Sequence, residues 1–516
     1  MAKLAEIVAV SQAVAATRSR KQKVAALADL LRTLEPAEQR AGVGFLCGEL
    51  RQGKLGVGYA TLRRLRAAPE PVEADVGLGV LELDRLFAEL AQASGKGSVA
   101  RRERLLAQAF ARLSDPERDF VTRLVLGELR QGALEAVLLE ALSLASSLTP
   151  ALLRRAMLFA GDVTEVAALA LSGDRAALEA LTIELFRPLR PMLAQTAKDV
   201  SDAFERTAPC AFEQKLDGAR IQVHRSGERV AVYSRHGNEL TDAVPELVAL
   251  ARSLPAESLV LDGEAIALHA DGRPQPFQIT MQRVGRKLKV AEHQQALPLS
   301  AFFFDCLYLG GEVLVERSNA ERWAALESVV PASARVARSE VASVAEGESV
   351  MRAALERGHE GVVVKSLASS YASGRRGAGW LKLKPAPTLD LVVLAAEWGS
   401  GRRQGLLSNL HLGARDAETG GFVMLGKTFK GLTDELLSWQ TRKLQELATE
   451  RSDYVVHVRP ELVVEIAFDG LQKSRNYPGG LALRFARVRR YREDKSAREV
   501  DSIAFVRSLY ERSGGA

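Results

Sequence analysis

The stretch EQKLDGAR, residues 213–220, runs directly into IQVHR, whose apolar and polar residues alternate. Alternation with period two marks a strand with one buried face, and an Asp-Gly pair is turn chemistry. Lys215 therefore stands where a strand meets a turn, with Glu213 on the same side of the chain by strand parity. Taken alone, it would be an exposed turn lysine beside Asp217 and Gly218. Residues further along give it another reading.

Outward from this point, RIQVHR, the turn Ser226-Gly227-Glu228 and RVAVYSR make a hairpin pattern, and LVLDGEAIAL, AFFFDCLYL, GVVVKS and WLKLK read as further strands. Asp262 and Glu264 share one strand face, while Trp380, Lys382 and Lys384 point away from Leu381 and Leu383. Strand ends thus gather Lys215, Arg220, Arg235, Lys382 and Lys384 with Glu213, Glu264 and Glu360 at one polar pocket. Cations on that scale suit a triphosphate, and a carboxylate such as Glu360 suits the Mg²⁺ that bridges it. An amine attacks phosphorus only when unprotonated, a form that neighbouring cations and partial desolvation favour.

The flanks differ in texture. From Leu4 to about Phe186 the chain is rich in Ala, Leu, Arg and Glu at helical spacing, which predicts an all-helical domain. Within it GELRQG occurs twice, from Gly48 and from Gly127, suggesting a duplicated unit whose Arg-Gln-Gly turns offer a cation and backbone N–H groups to phosphate. FRPLRPMLAQ, residues 186–195, ends the helical pattern, and KPAPT, residues 384–388, precedes short strands that suit a small β-barrel. The expected division is a helical domain at 1–185, an α+β domain at 186–386 and a barrel at 387–516.

Composition sets the outer limits. A chain of 516 residues at 47% hydrophobic is more than one core can use, in keeping with several domains. Net charge is only +6, so affinity for nucleic acid has to come from local clusters of cations. The three cysteines, Cys47, Cys210 and Cys306, are too scattered for a disulfide framework. No run approaches the ~18 apolar residues of a membrane span, and the N-terminal charge order is wrong for a secretory signal, so the expected location is cytoplasmic without a membrane partner.

KLDGAR, YSRHGNE, LDGEAIAL, FFFDCLYL, EGVVVKS, WLKLKP and RYREDK fall in the order seen in ATP-dependent DNA ligases. The chain resembles that family from end to end, above all the archaeal and eukaryotic-type enzymes with three domains. The resemblance implies a multidomain α+β protein: a helical DNA-binding domain, an adenylation domain and a C-terminal OB-fold β-barrel. It implies that Lys215 is the nucleophile that takes AMP, with Lys384 also catalytic. Glu213 would read the adenine edge, Arg220 and Glu264 would hold the ribose, and Phe304 would stack on the base. Arg235, Arg376, Lys382 and Lys384 would manage phosphates, and Arg492 and Lys495, in a segment of seven cations and two acids at 484–498, the pyrophosphate. Glu360 and Glu264 would be metal carboxylates for Mg²⁺ or Mn²⁺. ATP is the implied cofactor and nicked duplex DNA the implied partner; a monomer is the default, and no sliding-clamp peptide is read.

For Phe304, alternation supports that role: if Phe303 faces the core, Phe304 faces the other side. RNA ligases and mRNA-capping guanylyltransferases share the Lys-x-Asp-Gly core, although the long helical region argues against both. An NAD-dependent DNA ligase would need a four-cysteine zinc site that three cysteines cannot build. The alternative of another class is a non-catalytic nick-binding protein, against which the intact set Lys215, Glu264, Glu360, Lys382 and Lys384 speaks.

Overall fold

The computed structural model describes residues 2–67, 77–129, 135–286, 288–372, 376–385 and 387–512. They divide into two compact units, Met1–Pro191 and Met192–Ala516.

The first unit is helical throughout its described residues, from Leu4–Ala16 to Arg175–Ala180, around a core that buries Phe45, Phe87 and Phe110. The repeated hexapeptide reflects a longer repeat. Helices Pro36–Cys47 and Asp115–Leu126 both begin with a capping box, from Glu35/Glu38 and Ser114/Glu117, and carry proline in the first turn. Both end at a left-handed glycine, Gly48 and Gly127, followed by a Schellman bond from Glu49 N to Gly44 O (2.9 Å) and from Glu128 N to Arg123 O (2.8 Å). After the first copy the Arg51 guanidinium pairs with Asp84, and Gln52 Nε2 donates to the same carboxylate at 2.9 Å. The phosphate-directed cation expected at Arg51 is thus committed to a partner within the unit. Arg130, Gln131 and Gly132 lie outside the described residues.

In the second unit two five-stranded sheets stand over separate cores. One has the order Leu193–Thr196, Arg376–Leu383, Gly361–Ser366, Cys210–Lys215, Arg338–Val341. The other has the order Arg229–Ser234, Ala219–Ser226, Ser258–Ala267, Leu299–Leu309, Glu312–Val313. Alternation works as expected: Phe303 is fully buried in the core, whereas Phe304 faces a cavity. The turn Leu216–Gly218 carries the chain from one sheet to the other, and Gly218 is there for space, since a Cβ would lie 2.2 Å from Ile266 Cγ2 and 2.4 Å from Ala265 O.

The C-terminal part is strand-rich, as expected, and its strands do not close into a barrel among the described residues. Its longest strand, Thr388–Trp398, pairs with Leu407–Arg415 along one edge, and on the other first with Val463–Ala467 and then with Val455–Val458. Among the described residues the ladder does not return to its starting edge. Phe422–Thr428 ends it, and the strands that would close it, Gly470–Lys473 and Leu481–Arg484, pair with each other as a separate hairpin. That hairpin meets Phe422–Thr428 through side chains instead of a backbone ladder. The segment LALRFARVRRY, residues 481–491, forms two strands, Leu481–Arg484 and Arg487–Tyr491, broken at Phe485 with φ 52°.

Candidate active site

A cavity of about 670 Å³ opens between the two five-stranded sheets, within the range of small-molecule sites. Glu213 and Lys215 enter it from one strand, Lys365 from the adjacent strand and Lys382 from the strand beyond that, and Arg220, Glu264 and Phe304 from the opposite sheet. Local sequence explains the arrangement. Each of these strands alternates, so Phe212, Val364, Leu381 and Leu383 fill the core behind the first sheet while the polar residues between them face inward.

Lys215 lines the cavity, whereas Glu360 and Lys384 stand behind it: Glu360 binds two ammonium groups, Lys215 on one carboxylate oxygen and Lys384 on the other. Burial pushes the Glu360 carboxyl up, but the two lysines outweigh it and hold it below its ordinary range. Asp217 moves the other way, raised by burial and by repulsion from Glu360. Glu264 is raised to about 7 because burial outweighs the nearby Arg220 and Lys215.

Arg220 is fixed by Asp262, which it meets through Nε at 3.0 Å and Nη2 at 2.6 Å. Its Nη1 donates to Met192 O at 2.6 Å, and the guanidinium lies 5.4 Å from the centre of the Phe304 ring. The Tyr371 hydroxyl completes this group, donating to Asp262 at 2.7 Å and accepting from Met192 N at 3.0 Å. Burial and Asp262 hold the Tyr371 phenol well above its usual range.

Glu213 is buried, with Lys365 Nζ 2.7 Å from Oε2 and Arg338 Nη1 3.0 Å from Oε1. Lys365 also donates to Phe304 O at 2.8 Å and sits 4.8 Å from the Phe304 ring centre. Burial lowers its pKa despite Glu213. Neither Lys365, Arg338 nor Tyr371 stands out in the sequence reading. Lys365 closes the apolar run GVVVKS, where strand parity with Val363, which also lines the cavity, could have found it.

The remaining expected residues divide. Arg235 and Lys382 line the cavity. Arg376 opens its strand, and its side chain lies outside the described residues. Arg492 and Lys495 do not line the cavity; both pair with Asp390, Arg492 at 3.0 Å and Lys495 at 2.6 Å. Two C-terminal residues do approach: Arg484, 3.6 Å from Asp217 and 4.6 Å from the Phe277 ring centre, and Asp469, 3.9 Å from Lys384.

A cavity lysine held by a carboxylate that a second lysine shares, between two sheets and with a strand-rich region attached, is the layout of a nucleotidyltransferase. Comparison with known proteins gives the family. Residues 191–384 match the ATP dependent DNA ligase domain, residues 403–495 the ATP dependent DNA ligase C terminal region and residues 66–143 the DNA ligase N terminus. A probable DNA ligase of Anaeromyxobacter sp. (strain Fw109-5) is 55% identical, covering 99% of each chain. One from Mycobacterium marinum is 50% identical over 98% of this chain and 100% of its own. The solved structure "Pmar-Lig_PreS3" superposes with a TM-score of 0.62 at 19% identity, over 94% of this chain and 99% of its own, a likeness of fold. This chain belongs to the ATP-dependent DNA ligase family.

Proposed function

We propose that this chain seals nicks in duplex DNA at the expense of ATP, with Lys215 as the group that carries AMP. The observation that carries the proposal is the anchoring of Lys215, which lines the cavity, by Glu360, whose other oxygen holds Lys384. In the first step Lys215 Nζ attacks the α-phosphorus of ATP, a P–N bond forms, the bond to the bridging oxygen breaks, and pyrophosphate leaves. Nζ must give up a proton and its pairing with Glu360 to do so. In the second step a 5′-phosphate oxygen of the nick takes AMP and releases the lysine. In the third the 3′-hydroxyl gives up its proton, its oxygen attacks the phosphorus of that 5′-phosphate, the phosphodiester bond forms and the bond to AMP breaks. All three are in-line displacements at phosphorus, in which positioning and charge compensation carry most of the catalysis.

Residues 1–185 are assigned to the duplex, 186–386 to adenylylation and 387–516 to a part that changes its contacts between steps. Glu213 and Lys365 suit the base edge, Phe304 its face, Arg220 and Glu264 the sugar, and Arg235, Lys382 and Lys384 the phosphates. The residues fit a divalent cation: Asp217 and Glu360 repel each other, and Glu264 is close enough to both Asp217 and Lys215 to respond to them. Among the described residues no three acids form a ready-made metal cluster, which matches Mg²⁺, usually held by one or two carboxylates together with phosphate oxygens. Bound at Glu360 and Glu264, it would offset phosphate charge. No helix among the described residues is long and apolar enough to cross a membrane. We assign the working form as a monomer.

The test is incubation with α-labelled ATP, GTP or NAD in Mg²⁺, denaturing electrophoresis, and a chase with nicked DNA or nicked RNA. A labelled adduct from ATP that nicked DNA discharges is the expected result. An adduct from GTP alone, discharge only onto RNA, or no adduct would overturn the proposal.

A further inference from the structure

The buried ion pair behind the cavity wall bears on base selection. We propose that Arg338, which does not line the cavity, is a positioning residue that sets specificity for a 6-aminopurine by fixing the carboxylate of Glu213. This rests on the reading of Glu213 as the group that faces the base edge.

Arg338 and Glu213 lie opposite each other on adjacent antiparallel strands, and their side chains are 3% and 2% exposed. Arg338 is itself gripped by one helix, Asn319–Val329. Its Nη1 donates to Asn319 Oδ1 at 2.9 Å, and its guanidinium lies 4.5 Å from the ring centre of Trp323, one turn further along. The remaining approach is a 3.7 Å contact with exposed Glu340. Nε and Nη2 find no hydrogen-bond partner among the described residues, so this guanidinium is held by shape and stacking as much as by polar contacts.

An ionised carboxylate offers about four acceptor positions. Arg338 occupies one on Oε1 and Lys365 one on Oε2, which leaves acceptor capacity in a fixed plane at the cavity wall. Adenine presents an N–H donor at C6 and guanine a carbonyl acceptor. A carboxylate that can only accept welcomes the first and repels the second. Remove Arg338, and Oε1 is left buried without its cation; the carboxylate then turns toward Lys365 and loses its aim. Discrimination built on a satisfied polar group is large for the same reason that its loss is costly.

The experiment uses the full chain and single-turnover transfer to Lys215 from labelled ATP and from purine ribonucleoside triphosphate, which lacks the 6-amino group. For Arg338→Met the expected result is a loss of about 10- to 100-fold with ATP, mostly in KM, and under about 3-fold with the purine analogue, the scale of one charge-assisted hydrogen bond. Arg338→Lys should restore part of the preference. Equal losses with both nucleotides would mean that Arg338 serves only the fold, and the proposal would fail. Glu213→Gln separates the two ideas. If it leaves the ATP preference intact, the base-reading role is wrong and the proposal falls with it; if it abolishes the preference while Arg338→Met does not, only the role of Arg338 is wrong. Should Arg338→Met not fold, Asn319→Ala carries the test, with a several-fold loss of preference supporting the proposal and an unchanged preference overturning it.

Discussion

Lys215 donates to one oxygen of Glu360 while the other oxygen is held by Lys384, so the proposed nucleophile shares its anchor with a second cation. If that anchor aims Nζ, Glu360→Gln should slow adduct formation by about 10²-fold or more, on the scale of lost positioning in such sites. Lys215→Ala should form no adduct at all and still join some pre-adenylylated nicks, since the third step does not use the lysine. Denaturing gels with labelled ATP check both. A Lys215→Ala adduct that survives denaturation would remove the assignment.

Arg492 and Lys495 provide a test that separates the steps. Pyrophosphate leaves only in the first, so cations assigned to that leaving group should matter there and little afterwards. Arg492→Ala and Lys495→Ala are each expected to slow self-adenylylation by about 10²-fold while changing single-turnover joining of pre-adenylylated DNA by less than about 5-fold. Equal losses in the two assays would place both residues in DNA binding or in folding.

Tyr371 Oη ties Asp262 to the Met192 peptide, next to Leu193 and Ala194 in the cavity wall. Tyr371→Phe keeps the ring and leaves the Met192 N–H unpaired, at a cost of about 1–3 kcal/mol for one buried donor. The expected outcome is a KM for ATP raised about 5- to 10-fold in the adenylylation assay, with the maximal rate changed less than 3-fold. A variant with wild-type KM would show that the hydroxyl serves stability alone.

Glu397 predicts a pH dependence. Partial burial pushes its carboxyl up, but bonds from Lys427, His411 and Asn409 outweigh this and hold it at about 2 against an ordinary 4.5. A depressed carboxyl contributes stability that is fully present above its unfolded value and is lost as pH falls through its folded one. Between about pH 4.5 and pH 2, therefore, unfolding midpoints of the wild type should fall more steeply than those of Glu397→Gln. Parallel slopes in thermal melts across that window would contradict the assignment.

Much of the cavity was legible from strand parity. Lys215, Glu264, Phe304 and Lys382 occur in alternating runs whose other residues are apolar, so their inward direction follows from period two. The supporting residues were not legible. Arg338 and Tyr371 act on partners more than a hundred positions away, and the short strand Arg338–Val341 has too little pattern to suggest a neighbour. The strand Leu407–Arg415 is not among the strand runs read from the sequence, although Leu410, Leu412 and Ala414 alternate there with Asn409, His411 and Gly413. Whether the C-terminal strands close was not legible either, because closure depends on which edges meet, and the hairpin Gly470–Lys473/Leu481–Arg484 pairs its strands with each other. For Arg492 and Lys495 the sequence carries the charges but not the carboxylate that holds them.

That carboxylate, Asp390, lies near the start of the long strand that follows Lys384. If, as proposed, the two cations bound there go on to meet a triphosphate, they need not be stripped bare first; they would trade one anion for another. The proposed rearrangement of the C-terminal part would then be an exchange of counter-ions, in which the desolvation cost at one end is returned at the other. An exchange with nearly balanced ends is reversible, as it must be in an enzyme that takes up ATP and then yields the same cavity to DNA on every turnover.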